Sequence, residues 1–449
     1  KNPLVRFFSF MAIFLLFFLV ASPITRLFYQ FNWPLISTSS PGNAIFLISF
    51  CLAILAGFGF EFWFQEKMKK RLWLGFVFLA IFALVWLFVL VVPQVPQTAK
   101  RNLLYSSLIF FAFISCLGLS FFLKKRTKLV MALLILITIF DLFYFFRKFN
   151  PFVPPALVFP QAEVFSWLKE NSGNNRFWGY GSAGVEANFA TQVRLFSPDG
   201  YDPLYPQRYG EFINSTKEGR ILEKFDAQTR SDARVAAGFG ETNLAENQYR
   251  ERVLALLGVK YILDRVENAS TQRTFPPDRY QLVWESNPSA GGWRVFENLL
   301  VLPRAFLVSN YRLFAEKEKF EEIFFAPDFK IKETILLEEK PAIEPKPAKL
   351  AEVKIVEYLP NKVLLEVESD APQLLFLADT FYPGWQAFVS NKKTKIYRAN
   401  YAFRAVLVPS GRHRVSFVYQ PSSFAWGVKI SLVSLMLLLI FSYLMKGKK

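Results

Sequence analysis

The loop SPDGYDPLYPQRYGEF brings Asp199, Tyr201, Asp202, Tyr205 and Arg208 together within ten residues. Carboxylates beside aromatic rings suit sugar recognition: rings cover the apolar faces of a sugar while carboxylates accept hydrogen bonds from its hydroxyls. The same residues also suit a turn, because Asp-Gly and Asp-Pro are turn-forming pairs. Both readings stand at this point. Asp141, in ILITIFDLFYFF, is an acid inside an otherwise apolar run. A carboxylate there is costly, so it either lines a polar site or reaches outward toward Arg147 and Lys148. The one histidine, His413, sits between Arg412 and Arg414. It reads as a catalytic base or, more plainly, as a surface residue of a basic turn. With one histidine and two cysteines, Cys51 and Cys116, a His-based triad, a Cys/His zinc site and a disulfide framework all lack material. No P-loop, G-x-S-x-G or H-E-x-x-H pattern occurs.

The elements that must position these residues begin in a membrane. Of 449 residues 53% are hydrophobic, too many for a purely soluble chain. Five apolar runs, Phe7 to Ile24, Ile45 to Phe64, Leu72 to Val92, Leu103 to Leu123 and Leu129 to Phe146, occupy the N-terminal third, and a sixth, Phe424 to Leu444, closes the chain. Each is long enough, as a helix, to cross a hydrocarbon core of about 30 Å. The net charge of +17 belongs to these ends: residues 149–423 hold 34 Lys+Arg against 33 Asp+Glu, and the remainder 19 against 3. Alternate loops divide the basic residues unequally. Lys1, Arg6, the clusters at 67–71 and 124–128, and Lys446, Lys448 and Lys449 fall on one side, and only Arg26, Lys100 and Arg101 on the other. The positive-inside rule puts the first group in the cytoplasm and residues 149–423 outside, with the C-terminus cytoplasmic. That accounts for the basic excess without nucleic acid as a partner. The lipid bilayer is the expected partner of the spans.

The external region reads in two parts. From 149 to 337 an amphipathic helix around Gln161 to Glu170 is followed by candidate strands Arg176 to Tyr180, Lys260 to Leu263, Gln281 to Trp284, Trp293 to Phe296 and Ala305 to Val308. A helix from Gln248 to Leu257 leads through Gly258 into the second strand, so the unit is expected to be α/β. The stretch EEKPAIEPKPAK, 338–349, is charged and proline-interrupted and reads as a semi-rigid linker. From 350 to 423, seven short alternating strands with turn signals between them argue a β-sandwich. The last strand runs almost directly into the closing apolar run. The expected architecture is a membrane α-helical bundle, 1–148, of five spans plus one C-terminal span and basic tail, 424–449, carrying an extracytoplasmic α/β domain and a β-sandwich domain.

Several motifs resemble one family. LALLGVKYIL (254–263), WRVFENLLVLPRAFLV (293–308), ADTFYPGWQAFV (378–389) and FRAVLVPSGRHRVSFVYQPSSFAWGVKIS (403–431), with PGNAIFLISFCLAILAGFGFEF near the start, are similar in type and order to the C-terminal half of bacterial YfhO-type membrane proteins. The resemblance implies a GT-C class glycosyltransferase, which takes sugar from a polyprenyl-phosphate carrier and places it on an envelope glycopolymer or another envelope acceptor. It also implies a catalytic aspartate, and a divalent metal if one is used, in an external loop near the N-terminus of such proteins. The first external loop of this chain, Thr25 to Asn43, contains no Asp or Glu, so the chain is read as the C-terminal portion of something longer, with no cofactor evident in it. Within that frame Asp141, Arg147, Lys148 and Arg26 are candidates for a lipid-phosphate cavity, and Tyr382, Trp385 and Tyr397 join the 199–208 loop as candidates for sugar or acceptor. The plainer reading of YPGW is a tight turn with Trp385 packed into the sandwich. The alternative function is a non-catalytic, membrane-anchored protein whose external domains bind glycan or a partner protein.

Overall fold

A computed structural model describes the chain except residues 1, 20–24, 27–29, 32–40, 66–67, 93–94, 124–126, 151, 156–161, 187, 201–204, 222–233, 239–240 and 447–449. The chain forms two compact units, Lys1–Pro154 and Pro155–Lys449.

In the first unit the five apolar runs are helices: α1 (Pro3–Leu19), α2 (Ile45–Gln65), α3 (Met68–Val91), α4 (Gln97–Phe122) and α5 (Thr127–Phe149). Arg147 and Lys148 lie in the last turn of α5, where cations suit the partial negative charge of a helix C-terminus. α1 packs on α2 through Ala12, Leu15, Ile48 and Cys51, and α4 on α5 through Cys116, Val130 and Leu134. Indole N–H groups bridge helices, Trp86 to the Ser107 hydroxyl at 2.9 Å and Trp63 to Ser120 at 3.3 Å. Most remaining surface is large and apolar, Phe76, Phe88 and Leu90 each more than 60% exposed, as expected where lipid is the solvent. Among the described residues four helices are long and apolar enough to cross a membrane, Ile45–Trp63, Gln97–Ser120, Lys128–Phe149 and Ser422–Leu444, and the apolar stretches Pro3–Phe17 and Gly75–Val91 are shorter.

The second unit is built on three sheets. Strands β1 (Arg176–Gly179), β2 (Val259–Arg265), β3 (Tyr280–Glu285) and β4 (Trp293–Asn298) form the first, in the order β1-β2-β4-β3, with β1 parallel to β2. Helix α6 (Glu163–Asn171) lays Val164, Phe165 and Leu168 on one face of this sheet. Helices α7 (Gln207–Asn214) and α8 (Gln248–Leu256) contribute to a larger core on its other side.

The second sheet comprises β5 (Ala305–Val308), β6 (Asn310–Leu313), β7 (Thr334–Leu337), β10 (Gln373–Thr380), β13 (Ile396–Ala399) and β14 (Phe403–Val408), in the order β5-β10-β14-β13-β7-β6. The third comprises β8 (Ala351–Leu359), β9 (Lys362–Ser369), β11 (Trp385–Val389), β12 (Lys392–Thr394) and β15 (Gly411–Tyr419), in the order β12-β11-β15-β9-β8. These two sheets face one another across Val363, Leu365, Val367, Leu375, Leu377, Val406, Val415 and Phe417, a sandwich-like core. The second sheet is also covered on its far side. Leu374, Phe376, Phe403 and Ala405 point into the common core with Phe212 of α7 and with Phe320 and Phe324 of α9 (Lys317–Phe324). Burial on both faces is why β10 reads as the unbroken apolar run LLFLA, whereas β9 alternates between buried and half-buried positions.

Residues 338–349 contain no helix or strand and are pinned along their length. The Ala342 N–H donates to the Tyr397 hydroxyl at 3.0 Å, Lys346 N–H to Pro372 O at 2.8 Å, and Lys349 N–H to Asp370 Oδ1 at 3.0 Å. The second sheet takes β5, β6 and β7 from before this stretch and β10, β13 and β14 from after it. The stretch read as a linker thus connects strands of one sheet.

Candidate functional site

Four charged side chains stand within or beside apolar strands and meet near the edge of the sandwich. Arg176 opens β1, Arg304 precedes β5, Asp379 sits near the end of β10 and Arg404 lies in β14, each with 7% or less of its surface exposed. Asp379 falls where the β10–β14 ladder shifts register between Leu377 and Thr380, an irregularity of the kind that redirects a side chain. Its carboxylate accepts from Arg304 Nη2 at 3.0 Å, Arg404 Nη2 at 3.2 Å and Arg176 Nη2 at 3.3 Å. The Tyr358 hydroxyl of β8 donates to it at 2.8 Å. The cluster therefore joins all three sheets. Burial alone would push the Asp379 carboxyl up, but Arg304, Arg404 and Arg176 outweigh it and hold the group at about 2. Burial raises the Tyr358 phenol, with the neighbouring Asp379 charge in support, so it stays neutral.

The three guanidiniums are not equally satisfied. Arg176 also donates to Leu257 O and, at 2.9 Å, to Ala378 O. Arg304 donates to Asn174 O at 2.9 Å and to the Tyr358 hydroxyl, and its plane lies 4.4 Å from the Phe196 ring centroid and 4.3 Å from that of Tyr358. Arg404 reaches Asp379 O with Nε at 3.4 Å, and its Nη1 has no hydrogen-bond partner. Its guanidinium lies 4.0 Å from the Trp385 ring centroid and 5.3 Å from that of Phe417. Burial lowers the Arg404 pKa, Asp379 opposing.

Arg404 and Trp385 form the wall between two cavities. One, of about 350 Å³, is lined by Arg176, Tyr358, Asp379, Thr380 and Tyr382 among others. The other, of about 420 Å³, is lined by Tyr382, Gly384, Lys393, Gln420 and Ser422 among others. Ser422 is the first residue of the closing apolar helix, α10 (Ser422–Lys446). The YPGW turn needs its glycine: Gly384 has φ +100°, and a Cβ there would stand 3.0 Å from Pro421 Cβ and from the Tyr419 ring. The Gln420 N–H donates to Gly384 O at 2.8 Å, tying the turn to the start of α10.

Trp385 is half-buried against the sandwich core, its ring centroid 5.4 Å from that of Tyr419, and Tyr382 is 46% exposed. Thus the turn reading and the pocket reading of YPGW describe the same geometry. Tyr397 is buried, its hydroxyl taken by Ala342 N–H.

The 199–208 loop is only partly described, and Tyr201 and Asp202 lie outside the described residues. Asp199 accepts from Val235 N–H at 2.8 Å, and burial pushes its carboxyl up to about 6 against that hydrogen bond and Arg234. Tyr205 is half-buried ahead of α7. Arg208 pairs with Glu338 and lies 5.0 Å from the Tyr401 ring centroid. The described partners of Asp199 and Arg208 all belong to the second unit. His413 has both ring nitrogens engaged, Nδ1 with the Ser390 hydroxyl at 2.9 Å and Nε2 with Ser410 O at 3.1 Å.

In the first unit Asp141 is half-buried on α5, near the Tyr105 hydroxyl of α4, which forms no regular hydrogen bond with it. The Tyr105 and Tyr144 rings stack at 4.2 Å, and Lys148 Nζ lies 4.9 Å from the Tyr144 ring centroid. Arg26, Arg147 and Lys148 are exposed. A cavity of about 650 Å³ among these helices is almost wholly apolar, lined by Gly57, Gly59, Gly75, Phe113, Leu134 and Thr138 among others. Among the described residues no group of three or more His, Cys, Asp or Glu could hold a metal ion.

Sequence reasoning passed over Asp379, Arg176, Arg304, Arg404 and Tyr358. Four of them carried a signal, a single charge embedded in an apolar strand: RFWG, LPRAFLV, LLFLADT and FRAVLV. A charge at such a position is buried and therefore needs a partner.

No curated protein and no solved structure matches this chain. Residues 340–431 match a family model, a stretch that contains Tyr358, Asp379, the YPGW turn, Arg404 and the start of α10. The family so matched is described as bacterial membrane protein YfhO, and the chain is consistent with a YfhO-type membrane protein.

Proposed function

We propose that this chain is the C-terminal portion of a polyprenyl-phosphate-sugar-dependent membrane glycosyltransferase that modifies a cell-surface glycopolymer or another envelope acceptor on the outer face of the membrane. The observation that carries the reading is the position of the aromatic and cationic pocket. Trp385, Tyr382 and Arg404 line a cavity that also touches Ser422, the first residue of a helix apolar enough to cross the bilayer. A lipid-linked sugar and an envelope polymer can both approach a pocket at that height. Aromatic faces suit sugar rings, and guanidiniums suit the oxyanions of a phosphate ester. In this reading residues 149–423 are extracytoplasmic and the tail after α10 is cytoplasmic. Asp141, Arg147, Lys148 and Arg26 remain candidates for the carrier phosphate.

The test is transfer of labelled sugar from a polyprenyl-phosphate donor to envelope polymer, in membranes of cells lacking the gene and complemented with the full-length protein. Wild type should restore the label, and Trp385→Ala should lower incorporation at least tenfold at equal protein level. Incorporation that does not depend on the protein rejects the reading. The second reading, a membrane-anchored glycan-binding module without transfer, is favoured by the fact that both cavities are lined by residues of one compact unit. It predicts polymer retention that depends on Trp385 in membranes that transfer nothing.

A further inference from the structure

The Asp379 cluster holds more positive charge than its structural role requires. Three arginines surround one carboxylate, and Asp379 is the one acid among the described residues lining the two cavities, which also include Lys393. Tyr358 stays neutral. The formal charge of the cluster is therefore positive by two, in a place where an uncompensated charge is expensive. The excess is localised. Arg176 and Arg304 spend their spare N–H groups on backbone carbonyls and the Tyr358 hydroxyl, while Arg404 Nη1, on a residue 2% exposed, has no hydrogen-bond partner. That nitrogen belongs to the residue forming the wall of both cavities. A buried guanidinium with an unpartnered donor, on a residue that lines two cavities, is a point of attachment for an oxyanion such as a phosphate ester.

We infer that the pocket around Arg404, Trp385 and Thr380 binds a phosphate ester, its oxygens accepting from Arg404 and its charge balancing the arginine cluster. Trp385 lies over the guanidinium and sets the approach to its edge. Two sources of that chemistry can reach a pocket lined by Ser422: a soluble phosphate ester, such as a polymer repeat, and a phospholipid headgroup. The inference deepens the reading above but rests on it only for the identity of the molecule that carries the phosphate. The binding test reads no sugar transfer. Phosphate binding without transfer would keep the site and remove the transferase, and transfer without phosphate binding would do the reverse.

The experiment uses the full chain in dodecyl maltoside, which contains no phosphate, and follows thermal unfolding. Sodium phosphate is compared with sodium chloride at equal ionic strength, so that screening is held constant. In parallel, the protein is placed in nanodiscs of phosphatidylglycerol. Two variants are compared with wild type. Arg404→Gln removes the open donor, and Thr380→Glu leaves every arginine in place and sets a carboxylate in the half-buried position beside them. Wild type is expected to show a phosphate-dependent rise in the unfolding midpoint, with apparent affinity reduced at least tenfold by either variant. Should Arg404→Gln fail to fold, Thr380→Glu alone decides. A response to inorganic phosphate identifies a soluble ester as the source, and one seen only with phosphatidylglycerol, and lost in Thr380→Glu, identifies a headgroup. No response to either probe, or a response of equal size in folded Thr380→Glu, overturns the inference.

Discussion

The Tyr358 hydroxyl donates to the Asp379 carboxylate at 2.8 Å, a bond that ties the third sheet to the second. Because Arg176 of the first sheet pairs with the same carboxylate, removing the charge of Asp379 leaves three buried guanidiniums with no counter-ion. Asp379→Asn should lower stability by about 3 to 5 kcal/mol, the cost of leaving buried charge unpaired. Tyr358→Phe should cost about 1.5 to 3 kcal/mol, one hydrogen bond to a charged group. Denaturant unfolding of the two variants checks the order, and equal losses would argue against Asp379 as the centre of the cluster.

The pH dependence of stability should carry two opposite contributions. Asp379 is held at about 2, below its ordinary 3.8, so its contribution is fully present above 3.8 and is lost as pH falls from there through 2. Its size is about 2 kcal/mol. Asp199, raised to about 6 from 3.8, costs stability at neutral pH, and the cost is relieved as pH falls through 6 toward 3.8. Asp199→Asn should therefore stabilise the protein at pH 7.5 by on the order of 1 kcal/mol and have no benefit near pH 4. Unfolding midpoints across this range test both signs.

The turn before β11 should tolerate no side chain at Gly384. Its φ of +100° is strained for any other residue, and a Cβ would press on Pro421 and Tyr419. Gly384→Ala is expected to cost about 1 to 3 kcal/mol. The same variant should weaken phosphate retention, since the turn and the cavity wall are continuous, and a binding isotherm alongside the melt measures both.

Adjacent residues of β10 should matter equally. Leu374 faces the common core and Leu375 the core between the two facing sheets, so truncation of either to alanine should cost about 2 to 5 kcal/mol. In β9, Leu365 is buried and Leu364 half-buried, so Leu365→Ala should cost that much and Leu364→Ala clearly less. Four melts suffice.

Much of this architecture was readable in advance, for physical reasons. All six apolar runs are helical over most of their described residues, because about twenty consecutive apolar residues have few other ways to satisfy their backbone groups. Strands with strong alternation, such as VLLEV of β9, were placed by their period. The misses are instructive. β6 (NYRL) and β7 (TILL) are four residues long and pair in parallel with one another, so no local turn announces them. Residues 338–349 looked like a linker because proline and charge dominate them, yet Pro341 and Pro345 are buried, contacts that only the partner segments reveal. The site followed the same rule. Neighbouring aromatics and paired acids drew attention to Asp199, Tyr201, Asp202, Tyr205 and Arg208, whereas the densest electrostatics lie in single charges within or beside apolar strands, brought together by residues as distant as Arg176 and Asp379.

β15 is bonded along both edges, to β9 and β11, and only Gln420 and Pro421 separate it from the helix that begins at Ser422. Two residues, one of them a proline, leave almost no slack. A tethered domain on a flexible stalk sweeps a hemisphere; a sandwich joined to its helix through two residues has little such freedom. On the reading proposed above, a ligand anchored in the same leaflet meets the pocket by diffusion in a plane, where the local concentration of both is set by membrane area and not by the volume of the surrounding medium.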